Sequence, residues 1–280
     1  MITLRDVSFG YSKTDNLFKT LNLHLQPGNV CGLLGKNGAG KTTLLKMIAG
    51  LLFAKTGDCT RLGFTVKNRE PESLSHLYFV PEEFFVPKLT AKQYLDLYAP
   101  FYSHFNTPLF SACMDEFNIA DNKLLPTFSY GQKKKFLISF AIATQCKIIL
   151  FDEPTNGLDI PSKSQFRKLI AANMTDDKLF IISTHQVHDV EKLVDRVVIL
   201  DDGEIIVNVS LEEITKTISV SQESSEPSLA SCIYYEKNMS GYSVVTENKS
   251  NIESSIDLEL FFNMVIQNKE KSSQLFGGEQ

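Results

Sequence analysis

The chain has 280 residues, 43% of them hydrophobic and 22% charged, with a formal net charge of −5 and a sequence pI near 5.6. That is material for one large globular domain, or for a domain of about 200 residues plus an appendage. The acidic balance without a dominant basic stripe argues against nucleic acid as the main ligand. Five scattered cysteines, Cys31, Cys59, Cys113, Cys146 and Cys232, form no C-x-x-C pair, which argues for reduced thiols rather than a disulfide framework.

Residues 1–6 lack a basic segment followed by a long apolar one, so no secretory signal is expected. Val30–Leu34 reads as a buried strand running into a glycine-rich loop. Thr42 to Leu52 follows with Leu44, Leu45, Ile48, Leu51 and Leu52 at helical spacing, one face toward the core. Residues 88–142 read as mainly helical, broken by Pro100 and Pro108, and form an inserted helical subdomain. Within them, Lys133, Lys134 and Lys135 read as a solvated helix face. Phe136–Ala143 is apolar but short, and no stretch approaches the roughly 18 to 20 residues of a membrane-spanning helix.

Lys147–Phe151 and Leu179–Ile182 read as interior strands, and Arg196–Leu200 turns through Asp201-Asp202-Gly203 into Glu204–Val207 as a hairpin. Strands alternating with helices imply an α/β fold with a parallel sheet. The polar, serine-rich stretch from Ser219 to Ser228 reads as a linker, taken as 216–231. Beyond it, Cys232–Lys237 and Tyr242–Asn248 are expected to pair through Ser240-Gly241. Ile256–Ile266 is expected as a helix capped by Ser254 or Ser255, and 271–280 as a frayed, flexible tail.

Gly35-Lys36-Asn37-Gly38-Ala39-Gly40-Lys41-Thr42 matches G-x-x-x-x-G-K-[ST] between a strand and a helix. Glycines let successive N–H groups turn toward phosphate oxygens at the positive end of the following helix. Lys41 would neutralise the β- and γ-phosphates, and Thr42 would offer its hydroxyl to Mg²⁺. Asp152 and Glu153 end the strand at 148, where open α/β sheets bind ligands. Asp152 would hold Mg²⁺ and Glu153 would polarise the attacking water. Together these residues specify a P-loop NTPase and no more.

Thr127-Phe128-Ser129-Tyr130-Gly131-Gln132 resembles the LSGGQ signature of ABC proteins, with Phe128 for leucine and Tyr130 for glycine. Pro154-Thr155-Asn156-Gly157-Leu158-Asp159 resembles their D-loop, and Ser183-Thr184-His185 their switch histidine. Tyr11 stands where the family stacks adenine on an aromatic ring. Across about residues 1–215 the chain is similar to ABC transporter ATP-binding proteins, most like the ATPases of bacterial ABC-2-type exporters.

That resemblance implies a P-loop NTPase fold of ABC type: an N-terminal β-subdomain, the helical subdomain at about 88–142, and a small α+β appendage at 232–270. It implies ATP and Mg²⁺ as cofactors, with Lys41, Glu153 and His185 catalytic. The nucleotide would be bound by Tyr11, Gly35, Asn37, Gly38, Ala39, Gly40, Lys41, Thr42 and Thr43. Ser129, Gly131, Gln132 and Asp159 of a second copy, or of a close relative, would complete each site. Glu82, in Phe79-Val80-Pro81-Glu82-Glu83, departs from the family: it replaces the Q-loop glutamine and joins Thr42 and Asp152 as an expected metal ligand.

The implied partner is a separate membrane permease, with the chain cytoplasmic and peripheral on the inner face of the cell membrane. An importer subunit or a non-transport regulatory ATPase stay open as alternatives. Lys41 and Ser129 lie 88 residues apart, which excludes the long coiled-coil insertion of chromosome-maintenance ABC ATPases. His185 and His188 at i, i+3 have no third ligand nearby in sequence, so no metal is expected there.

Overall fold

The computed structural model describes residues 1–12, 14–120, 123–228, 231–248 and 256–276. The chain opens with β1 (Ile2–Phe9), β2 (Phe18–Leu25) and β3 (Asn29–Leu34), then α1 (Lys41–Ala49), β4 (Thr56–Arg61) and β5 (Phe64–Thr65). A short α2 (Pro71–Ser75) leads into β6 (Leu77–Val80) and the helices α3 (Ala91–Tyr98), α4 (Thr107–Glu116) and α5 (Tyr130–Ala143). Next come β7 (Ile148–Asp152), α6 (Ile160–Asn173), β8 (Leu179–Thr184), β9 (Arg196–Asp201) and β10 (Glu204–Ser210). The last part contains α7 (Leu211–Thr217), β11 (Ile218–Glu223), β12 (Tyr234–Asn238), β13 (Gly241–Glu247), α8 (Leu258–Gln267) and α9 (Lys269–Phe276).

These strands form three sheets. An antiparallel sheet has the order β2-β1-β4-β5, and a six-stranded sheet the order β10-β9-β3-β8-β7-β6, parallel except for the hairpin strand β10 at its edge. A third, antiparallel sheet runs β11-β13-β12. Alternation along the central strands feeds two cores, because successive side chains leave opposite faces. Cys31, Leu33, Ile148 and Leu150 face α1 and the antiparallel sheet. Val30, Leu34, Ile149 and Phe151 face α5 and α6.

Register brings the working ends of the strands together. Leu34 lies opposite Thr184, and Asp152 opposite Ser183. The glycine loop after β3, the two acids ending β7 and the histidine after β8 therefore emerge at one edge, the carboxyl edge where such sheets bind ligands.

Several expectations are corrected. The helix after the glycine loop ends at Ala49, not Leu52, because Gly50 takes the left-handed conformation (φ 74) and caps it; Leu51, expected on the core face, is 55% exposed. Within the stretch read as a linker, 216–217 end α7 and Ile218–Glu223 form β11, which pairs with β13 along its length. Serine-rich composition concealed the period of two in Ile218-Ser219-Val220-Ser221, which puts Ile218 and Val220 on the apolar core. The following hairpin turns at Met239-Ser240, one residue earlier than expected, since Asn238 pairs with Gly241.

The end of the chain differs as well. Asp257 caps α8, accepting from Glu259 N and Leu260 N, whereas Ser254 and Ser255 lie outside the described residues. Residues 271–276, expected in a flexible tail, complete α9 and bury Ser272 and Phe276; 277–280 lie outside the described residues. Lys269 pairs with Asp201 at 2.5 Å and Asp202 at 2.8 Å, and Ser273 Oγ donates to Ile206 O. Leu258 N donates to Glu191 Oε1 at 3.1 Å, and the His188 ring sits between the carboxylates of Glu191 and Glu259. Ile218, Val245, Leu258, Phe261, Met264 and Phe276 belong to the same continuous core as Val197 and Ile199 of the central sheet.

Candidate functional site

The glycine loop can curl tightly because its key positions carry no Cβ. Gly38 and Gly40 have φ of 83° and 106°, in the left-handed region that other residues rarely enter. A Cβ on Gly40 would stand 2.8 Å from the Phe18 ring, and one on Gly35 would stand 2.4 Å from Leu200 O. The loop thus wraps the first turn of α1 while pressed against β2 and β9. It borders a cleft of about 370 Å³ lined by Tyr11, Lys36, Asn37, Gly38, Gly40, Lys41, Thr42, Thr43, Glu82 and Glu153, with Asp15 and Leu17 at its side.

Gly35 and Ala39 do not line that cleft. Gly35 makes the close backbone approach, and the Ala39 side chain drops into the core under the loop while its N–H donates to Lys36 O. Lys41 curls over the loop, its Nζ donating to Gly35 O at 2.7 Å and Lys36 O at 3.2 Å, and stands 3.8 Å from Glu153 Oε1. Burial pushes the Lys41 pKa down, opposed by Glu153, Asp152 and Glu82. Tyr11, 64% exposed, stands at the mouth, edge-on to Phe9 and hydrogen-bonded through its hydroxyl to Thr43 Oγ1 at 2.8 Å.

Asp152, the last residue of β7, and Glu153 just after it differ sharply. Asp152 accepts from Thr42 Oγ1 at 2.8 Å and from Ser183 Oγ at 2.5 Å, so both its oxygens are engaged. Glu153 has φ 46, an uncommon conformation for a residue with a Cβ. Its N–H turns back toward Ser183 O and Oγ. Its Oε1 meets His185 Nδ1 at 2.8 Å, while Oε2 is buried with no protein partner among the described residues. Gln186 Nε2 stands 3.4 Å from the other ring nitrogen of His185. His188 is turned instead toward Glu191 and Glu259.

Glu82 enters the cleft from the loop after β6. Its Oε1 accepts from Asn156 Nδ2 at 3.0 Å, and its backbone O accepts from Tyr130 OH at 2.9 Å. The Tyr130 ring also stacks on Phe84 at 5.3 Å and 21°. A Cβ on Gly157 would stand 2.7 Å from that ring, and one on Gly131 2.9 Å from Gly157 O. Tyr130 therefore ties three loops together.

Ser129, Gly131, Gln132 and Asp159 are not brought to this cleft. Ser129 caps α5 in a reciprocal capping box, its Oγ accepting from Gln132 N and Gln132 Oε1 accepting from Ser129 N. Gln132 thus spends its side chain on the helix end. Asp159 caps α6, accepting from Ser162 N at 3.0 Å and from Ser162 Oγ. These bonds hold its carboxyl below the usual carboxylate range.

The lysine run does not form a solvated face. Lys134 is 0% exposed, because α5 is buried around most of its circumference. Its Nζ donates to Glu153 O at 2.5 Å and lies 5.5 Å from the Tyr130 ring centroid. Burial pushes its pKa down to about 8, against the pull of Glu82, Glu153 and Asp152. Sequence reasoning missed Lys134, Asn156 and the Ser183 hydroxyl as parts of this constellation. For Lys134 the available signal was its place one turn into a helix that opens beside the site.

A family model described as ABC transporter matches residues 18–156. The Bacillus subtilis ABC transporter ATP-binding protein NatA is 36% identical over 225 residues, covering 76% of this chain and 91% of the relative. The linearmycin resistance ATP-binding protein LnrL of the same organism is 30% identical over 213 residues, covering 74% and 68%. Among solved structures, an ATP binding subunit of an ABC transporter superposes with a TM-score of 0.70 at 24% identity, over 76% of this chain and 91% of that one. A dimeric ATP-binding cassette, MJ0796, bound to ADP and Pi in a post-hydrolysis state, superposes with a TM-score of 0.65 at 23% identity, over 75% and 98%. At those identities the superpositions speak for the fold.

Proposed function

The chain belongs to the family of ABC transporter ATP-binding proteins, and on that premise we propose that it drives export through a separate membrane-spanning subunit. As a member of that family it is an ATPase. The observation that carries the assignment of roles is the convergence of Lys41, Thr42, Asp152, Glu153 and His185 at one sheet edge. In this reading residues 1–215 are the ATPase domain, and β11 to β13 with α8 and α9 form its appendage.

Lys41 and the amides of Gly38 to Thr42 bind the β- and γ-phosphates, and Tyr11 receives the adenine ring. Thr42 and Asp152 offer hard oxygens suited to Mg²⁺, and Glu153 lines the same cleft, its Oε2 buried without a protein partner among the described residues. Mg²⁺ supplies neutralisation of the phosphate charge. Glu153 orients a water whose oxygen attacks the γ-phosphorus as the bond to the bridging oxygen breaks, releasing ADP and phosphate. His185 fixes the Glu153 carboxylate through Nδ1. The Ser129 hydroxyl and the Gly131 N–H of a second copy close the site, so two copies pair head to tail and complete two sites at once.

Among the described residues no helix is long and apolar enough to cross a membrane. Phe85, Leu97 and Phe101 are exposed, an apolar supplement to a surface that would meet a membrane partner at the inner face of the cell membrane. The similarity to a relative named for resistance supports export.

The test has two arms. Glu153→Gln with ATP and Mg²⁺ is expected to run as a dimer in gel filtration and return to monomer without nucleotide. Affinity purification of the tagged chain from membranes is expected to retain a polytopic subunit. A variant that stays monomeric at high concentration sinks the homodimer, and recovery without any membrane protein sinks the transporter reading.

A further inference from the structure

Lys134 is a buried cation for which the roles assigned above have no use. Taking an ammonium out of water costs several kcal/mol, and an apolar side chain would fill the same space without that cost. Among the described residues no carboxylate stands within 4.0 Å of it, so it is not half of a local ion pair. Its direct partner is the backbone oxygen of Glu153 at 2.5 Å. The charge beyond is that of Glu82, Glu153 and Asp152, with Glu82 acting most strongly. Tyr130 bridges the two: its ring lies 5.5 Å from the ammonium and its hydroxyl donates to Glu82 O.

Glu82 and Glu153 both line the cleft, and Asp152 adjoins it. Three carboxylates there face two buried ammonium groups, Lys41 and Lys134, before any anionic ligand arrives. Without Lys134 the imbalance grows at the place that must accept a polyphosphate, in surroundings that screen charge poorly.

We propose that Lys134 is a positioning residue for ATP hydrolysis, anchoring the Glu153 backbone to α5 and offsetting the negative charge of Glu82. The proposal rests on the reading of Glu153 as the group that orients the water. It also joins the two halves of the machine within one chain. The helix that presents Ser129 and Gly131 to the other copy is the helix that grips this copy's own Glu153.

Lys134→Gln keeps a donor for the Glu153 carbonyl and removes the charge. It is to be measured in the wild-type and Glu82→Gln backgrounds, with kcat and KM for ATP at fixed Mg²⁺ and the melting temperature of each protein. In the wild-type background kcat is expected to fall about 30-fold with KM changed less than about threefold, the mark of a group acting on the chemical step. In the Glu82→Gln background the same substitution is expected to cost no more than about threefold, a non-additivity of about tenfold. Equal losses in the two backgrounds, or no loss in either, overturn the proposal. If Lys134→Gln alone cannot be recovered folded, the double variant must be, with activity within about threefold of Glu82→Gln; an equally unfolded double variant overturns it too. Glu153→Gln serves as the separate control. Hydrolysis surviving in that variant removes the role of Glu153, whereas its loss beside an unaffected Lys134→Gln removes only the role of Lys134.

Discussion

A buried ammonium held against the Glu153 backbone should make the protein less stable than it could be, and pH gives a direct way to see this. A lysine held at about 8 instead of 10.5 gives up about 3 kcal/mol of folding free energy at neutral pH, at about 1.4 kcal/mol per tenfold. Between pH 8 and 10.5 the unfolded chain keeps this proton while the folded chain releases it. The unfolded state therefore binds more protons, and stability rises with pH across that window. Below pH 8 both states are charged and the cost is present in full.

Lys134→Met removes the charge but leaves the Glu153 carbonyl without its donor, which costs about 1 to 3 kcal/mol. At pH 7 the variant is expected to be more stable than wild type by about 0 to 2 kcal/mol, or up to roughly 4 °C in melting temperature for a chain of this size. The sharper result lies in the difference between the two proteins. Urea unfolding at several pH values should show the variant's advantage shrinking by about 2 to 3 kcal/mol between pH 7 and 10.5. Titrating groups remote from Lys134 cancel in that difference. Parallel pH curves, or a variant more than about 1 kcal/mol less stable at pH 7, would refute the reasoning.

Two further outcomes follow from other contacts. Arg61, 1% exposed, donates to Ile48 O at 2.7 Å and Ser73 Oγ at 3.0 Å, closing the carboxyl end of α1; Arg61→Met is expected to cost about 1 to 3 kcal/mol, read as a lower melting temperature, and an unchanged one contradicts this. Glu82→Gln is expected to shift the Mg²⁺ concentration for half-maximal ATPase activity by about threefold or more, and an unshifted titration rules out Glu82 as a metal ligand.

Much of the site was legible because its chemistry is local. Gly35 to Thr42 carry a loop, a helix start and two cleft-lining side chains, Lys41 and Thr42, in eight consecutive residues, and the apolar run before Asp152 announces a buried strand end. The parts that escaped depend on packing. Lys134 shares a run with Lys133 and Lys135, and only the burial of α5 on nearly every side separates it from them. The closeness of Asn156 to Glu82, residues from two different loops, has no trace in spacing. At β11 a period of two was present, but serine-rich composition hid it. At α9 a polar segment hides two inward residues, Ser272 and Phe276, at the helical interval of four.

The core that runs from the central sheet into α8 and α9 bears on how the protein melts. Phe261 and Val245 share their packing with Val197 and Ile199, and Lys269 and Ser273 fasten α9 to the hairpin of β9 and β10. The C-terminal elements have no separate interior to lose, so they open together with the nucleotide-binding sheet as one cooperative unit. A ligand held by the glycine loop therefore slows amide exchange in α9 without touching it.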